Sequence, residues 1–245
     1  MSEDLAGWLE QAHAHAAAGR YAEALELHRR YHELSRGAPA QFGVRLSFAL
    51  SRWADLARRY PPAREALSQT RDAAAGRLRT AAADHGPESA PATHAVHADF
   101  AEVVAISARL EDDRYAADLF AELDAGAPQV AADCWAAARS LLVRARRFEL
   151  ARRYLGDPER AVARSAAILD QRLTRGFARF PEHLRPQMRE DTVNGYVTDV
   201  RELLAILEGS GEHDTSAATR RQAIDVVPWA HVRDDVAEAL MRPPT

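Results

Sequence analysis

His28 and His32 stand four residues apart in LHRRYH, so a helix would stack both imidazoles on one face, the spacing two metal ligands use. The zinc-protease pattern would put a glutamate directly after the first histidine, and here an arginine stands there, with no nearby Cys or Asp to complete a ligand set. Half-buried packing histidines are the better reading, and His94 and His97 in THAVH read the same way. His13 and His15 are two positions apart and point to different sides of a helix. Cys134, beside Trp135 in an apolar stretch, reads as a buried thiol rather than a nucleophile. No G-x-S-x-G elbow occurs, and a chain without lysine has no P-loop Lys. Glu190–Asp191 and Asp234–Asp235 are sequence neighbours, so each pair diverges on a helix instead of forming an acid–base couple. The expectation is therefore a non-enzymatic protein with no catalytic residue, no metal and no cofactor.

Arginine carries the strongest charge signal. All 32 basic residues are arginine, a bias that fits GC-rich bacterial coding, and the net charge of -4 argues against a general nucleic-acid binder. Five arginines, at positions 144, 146, 147, 152 and 153, gather within ten residues. Guanidinium suits bidentate contact with carboxylate, so Arg144, Arg146, Arg147, Arg152 and Arg153 are candidates for reading an acidic partner. Charge is also segregated: 99–133 is acidic, 139–189 rich in arginine, and 190–245 acidic again.

Positioning such residues falls to helices. Apolar residues recur at helical spacing throughout, and no segment reads as a strand. Helices are expected at 4–18, from 21, at 41–59, from a start at Pro61 and Pro62 to 83, and at 94–110, 114–124, 129–145, 148–155, 159–180, 183–208 and 229–241. DHGPESAPAT (84–93) and GSGEHDTSAATR (209–220) read as connectors. No apolar run nears the roughly 18 residues of a membrane span, the N-terminus is acidic rather than signal-like, and one cysteine fits a reducing cytosol. The expected location is cytoplasmic, with no membrane partner.

Trp8, Ala12, Gly19, Tyr21 and Ala24 fall at the spacing of a tetratricopeptide repeat, and this region resembles that family. The resemblance implies helical hairpins in which Ala12 and Ala24 allow close approach, Gly19 forms the turn, and Trp8 and Tyr21 fill the space around it. Weaker copies follow: Trp53, Ala54 and Ala66 with Pro61 at the turn; Tyr115 with Asp118 at the small-residue position; and Trp135, Phe148 and Ala151 with Arg139 and Arg146 replacing Ala12 and Gly19. FGVRLSFALSRWADLARRYPPA (42–63) is also similar to uncharacterised bacterial proteins of this helical type.

The expected fold is thus all-α: an α-solenoid of about four degenerate tetratricopeptide-like hairpins over 1–157, with a C-terminal helical extension over 158–245. That extension would hold a flexible linker at 209–220 and a capping helix at 229–241, which packs on its own chain or swaps onto a second copy to form a homodimer. The expected function is a protein-interaction scaffold that binds a protein or an acidic peptide. Gln11, His15, Arg52, Arg109 and Arg139, on the first helix of each hairpin, would be its contacts. The alternatives are an immunity or antitoxin protein that neutralises a toxin through a charged face and, behind it, a metal-dependent enzyme using the histidines.

Overall fold

The computed structural model describes residues 5–84, 93–177 and 180–242, and among these the chain is all-α, with no strand. Of the expected connector at 84–93, residues 85–92 lie outside the described residues. Among the described residues no helix is long and apolar enough to cross a membrane. The chain divides into two compact units, Met1–Leu141 and Leu142–Thr245.

The first unit opens with α1 (Leu5–Ala17) and α2 (Tyr21–Ser35). Between them Gly19 adopts φ +75°, which lets Arg20 N–H reach His15 O at 2.9 Å and Gly19 N–H reach Ala16 O at 3.1 Å. This paired closure satisfies helix-end carbonyls and needs a left-handed residue, the reason glycine favours the position. Ala12 and Ala24 are completely buried, so the two helices pack closely where the sequence places its small side chains.

The next helix is continuous from 42 to 57 but irregular. α3 (Phe42–Val44) passes through a π turn (Arg45–Ala49) into α4 (Leu50–Ala57). α5 (Pro61–Asp84) follows a tight corner, with Pro61 in the first turn where a helix has no use for the missing N–H. The buried Trp53 indole N–H donates to Ala63 O at 3.2 Å across that corner. α6 (Thr93–Leu110), α7 (Asp113–Gly126) and α8 (Pro128–Arg144) complete the series, with α8 running past the division between units. α2 packs on α1 and α4, α4 on α5 and α6, and α5 on α6 and α7. Their apolar stripes meet in a core around Leu50, Trp53, Leu67 and Ile106.

The third turn corrects the expected register. Glu111 occupies the left-handed position (φ 60°), and Asp112 N–H bonds Ser107 O at 2.9 Å. Counting from this turn, the residue equivalent to Ala24 is the fully buried Ala116, not Asp118, while Asp112 caps the Tyr115 N–H. The small residue is thus present two positions earlier than the tyrosine suggests.

In the second unit, α9 (Phe148–Leu155) and α10 (Pro158–Gln171) are joined by Gly156 at φ +70°. Asp157 then caps α10 by accepting from Glu159 N–H and Arg160 N–H. A second π turn (Arg172–Gly176) ends that rod, short of the expected helix end at 180. α11 (Arg185–Gly209) is the centre of the unit and packs on α9, α10, α12 (His213–Asp225) and α13 (Ala230–Met241). Its stripe of Tyr196, Val200, Leu203, Leu204 and Leu207 is buried as its spacing predicts.

Two boundaries differ from the sequence reading. The unit division falls at 141/142 rather than 157/158, because α9 packs on α11. Gly209 marks that approach: a Cβ there would lie 2.2 Å from Phe148 Cγ. The expected linker at 209–220 is instead a tight turn followed by most of α12. Gly211 (φ +79°) repeats the geometry of Gly19, with Glu212 N–H on Leu207 O at 2.8 Å. α12 buries Ser216, Thr219 and Ala223, small and polar side chains that give no apolar stripe to read, and Ser216 Oγ donates to Glu208 Oε1 at 2.9 Å.

Candidate functional site

The π turn explains the most unusual feature of the first unit. It turns Arg45 and Ala49 inward, while Val44 and Phe48, one position earlier in each case, remain 41% and 50% exposed. Arg45 is 2% exposed, and its Nη1 donates to Glu102 Oε2 at 2.7 Å. Glu102, on α6 and 1% exposed, also receives Arg36 Nη2 on Oε2 at 3.1 Å and the His32 Nε2 on Oε1 at 2.9 Å. Beside it Asp99 takes Arg36 Nη2 at 2.7 Å and Arg77 through Nη2 at 2.8 Å and Nε at 3.0 Å. Residues from α2, the π turn, α5 and α6 therefore meet in one network of three guanidinium groups, two carboxylates and an imidazole.

Burial alone would raise the Glu102 carboxyl, but the hydrogen bonds and charges of His32 and Arg45 overcome it and hold the group at about 2. Burial lifts Asp99 to about 6 against the pull of Arg36, with the Glu102 charge adding to the rise. His28 lies flat against Trp53, with ring centroids 5.9 Å apart, and burial aided by the Arg52 charge lowers it to about 4. His32 meets the same indole edge-on at 5.8 Å. The i, i+4 histidine pair thus divides its work between an aromatic stack and an ion network.

Two cavities flank the network, and Arg36 and Arg77 line both. One, of about 330 Å³, lies over Trp53 and His32 between α2 and α5. The other, of about 400 Å³, is bounded by the 35–38 segment, Phe42, Arg45 and the start of α6. Thr70 lines the first and Ser35 the second, and neither lining includes a cysteine. Cys134 is buried elsewhere on α8, where burial pushes its thiol up to about 12 and leaves it inert at neutral pH.

The expected contact residues fall into two groups. On α1, Gln11 is exposed and His15 Nδ1 accepts the Arg20 Nε–H at 3.0 Å. Arg52 spans from the Phe48 ring, 5.1 Å from its centroid, to His13 Nδ1 at 2.9 Å on α1. Arg109 on α6 donates to Ser51 Oγ at 3.1 Å. Arg139 is half-buried on α8. These five belong to the first unit, whereas Arg144, Arg146, Arg147, Arg152 and Arg153 belong to the second. In that cluster Arg152 is not available to a partner in the way expected: it grips both carboxylate oxygens of Glu212 and donates to Gly156 O at 3.0 Å.

The sequence reading missed Arg36, Arg45, Arg77, Asp99 and Glu102. A signal was present, since Arg45 interrupts the apolar run FGVRLSFAL and Glu102 lies one turn before the buried Ile106. Charges at core-facing positions need partners, and the partners lie up to 70 residues away in sequence.

Comparison with protein-family models, curated proteins and solved structures finds no match for this chain.

Proposed function

We propose that the chain is a non-enzymatic binding module: an α-solenoid of tetratricopeptide-like hairpins that receives an acidic peptide or partner protein on its first-helix face. The observation that carries this reading is the side-by-side tying of three first helices. Arg52 of α4 reaches His13 of α1, and Arg109 of α6 reaches Ser51 beside it, so one surface crosses successive hairpins. On that surface Val44 and Phe48 are exposed apolar groups, and Arg52 covers part of the Phe48 ring. An exposed aromatic next to a cation suits a peptide that pairs an apolar side chain with a carboxylate.

The repeated left-handed turns at Gly19, Glu111, Arg146 and Gly211 support a hairpin-based plan, as does the order in which α1 to α7 pack on near neighbours. The test is affinity capture from native lysate with the full chain, repeated with Phe48→Ala and Arg52→Glu. A stoichiometric partner should be recovered, and each substitution should weaken it by about tenfold or more. A partner indifferent to both changes, or none at all, ends the reading.

A further inference from the structure

The cavity beside Arg45 has a composition that the first-helix face does not. Its lining carries three guanidinium groups, of Arg36, Arg45 and Arg77, against a single carboxylate, Asp99. Not all of their donors are used. Among the described residues Arg36 employs only Nη2, and the Nη1 of Arg77 has no protein acceptor. The Nε of Arg45 is buried without any partner, an arrangement native interiors rarely leave standing. The rest of the wall mixes Ser35 and His94 with small and apolar groups, Gly37, Ala38 and Phe42 on one side and Ala95 and Ala98 of α6 on the other. At about 400 Å³ the space is within the range of small-ligand sites.

We infer that this cavity binds a small organic carboxylate with an aromatic or branched aliphatic body, its carboxylate held by Arg36 and Arg77 and its body placed between Phe42 and Ala98. Two partly exposed guanidinium groups sharing one Asp99 offer the planar, multiply donating surface that carboxylate recognition uses. A phosphate ion would satisfy the same donors but leave the apolar wall facing water, so the body of the ligand contributes what the charge alone does not. Asp99, which takes Arg36 and Arg77 now, is the group an incoming carboxylate would displace from them. The site lies among α2, α3, α5 and α6, away from Phe48 and Arg52, and stands or falls separately from peptide binding.

The experiment is a titration of the full chain with benzoate and with 3-methylbutanoate, followed by thermal shift and by calorimetry. Benzamide, of the same shape without charge, and inorganic phosphate, with charge but no apolar body, are the controls. Saturable binding of a carboxylate, with benzamide and phosphate at least about tenfold weaker, is the expected result. Arg36→Gln should weaken carboxylate binding about tenfold or more. Because that change also disturbs the ion network, Ala98→Leu serves as the second variant. It leaves every charge in place, fills the cavity, and should abolish binding with the fold intact. The inference is overturned if neither carboxylate binds at millimolar concentration, if phosphate binds as well as benzoate, or if Ala98→Leu binds unchanged.

Discussion

Glu102 is the residue on which most of the first unit's buried charge depends. It receives Arg45, Arg36 and His32 while almost completely removed from water. Taking away one member of such a set leaves the others charged and unpaired, which costs more than the network gains. Glu102→Gln keeps the shape but removes the charge, and should lower unfolding free energy by roughly 3–5 kcal/mol. The double variant Arg45→Met with Glu102→Leu should recover a large part of that loss, since neither charge then remains. Urea titration of the three proteins decides it, and a loss under about 1 kcal/mol in the single variant would show the network to be weak.

At the scale of elements, turn geometry recurs more faithfully than turn sequence. The left-handed position is glycine at 19 and 211 but glutamate at 111 and arginine at 146. A side chain in that conformation costs roughly 1–2 kcal/mol relative to glycine, offset in part by glycine's greater freedom when unfolded. Arg146→Gly, with φ already at 55° and the residue exposed, should therefore stabilise the chain by about 0.5–1 kcal/mol. Gly19→Ala should destabilise by a similar amount. Melting temperatures moving in the opposite senses would refute the shared-turn reading.

At the scale of the whole molecule, the pH dependence of stability follows from groups with opposed shifts. His28 ionises at about 4 folded against 6.5 unfolded, so the unfolded chain binds more protons and stability falls as pH drops from 6.5 to 4. Asp99, raised to about 6 from 3.8, acts in the opposite sense over nearly the same window, since there the folded chain holds the extra proton. Glu102, at about 2 against 4.5, contributes stability above 4.5 that is lost as pH falls toward 2. Glu122 and Glu212, both lowered by arginine hydrogen bonds, fall in the same direction. Unfolding free energy should thus stay nearly level from pH 6.5 to about 4.5 and decline below it. His28→Phe should be relatively more stable near pH 4 than near pH 7, by about 3 kcal/mol for a shift of this size. Chemical denaturation across pH 3 to 8 measures both, and a steep fall of the parent chain starting near pH 6.5 would contradict the balance.

The helices were legible in the sequence because a 3.6-residue apolar period, prolines at helix starts and glycine at turns are local instructions. Ala12, Ala24, Pro61, Pro158 and the α11 stripe each carry out the local role their spacing implies. The α12 helix was not legible, because Ser216 and Thr219 are buried side chains that a hydrophobic pattern does not register, Ser216 being held by Glu208. The Arg45–Glu102 network was hidden for a related reason. Each charge taken alone looks like a surface residue, and only the packing of α2, the π turn, α5 and α6 brings the partners within hydrogen-bonding distance. Local propensity therefore determined which segments are helical, while the pairing of distant charges, the division at 141/142 and the cavities waited on the tertiary structure, since each depends on what a side chain meets after the chain has folded back on itself.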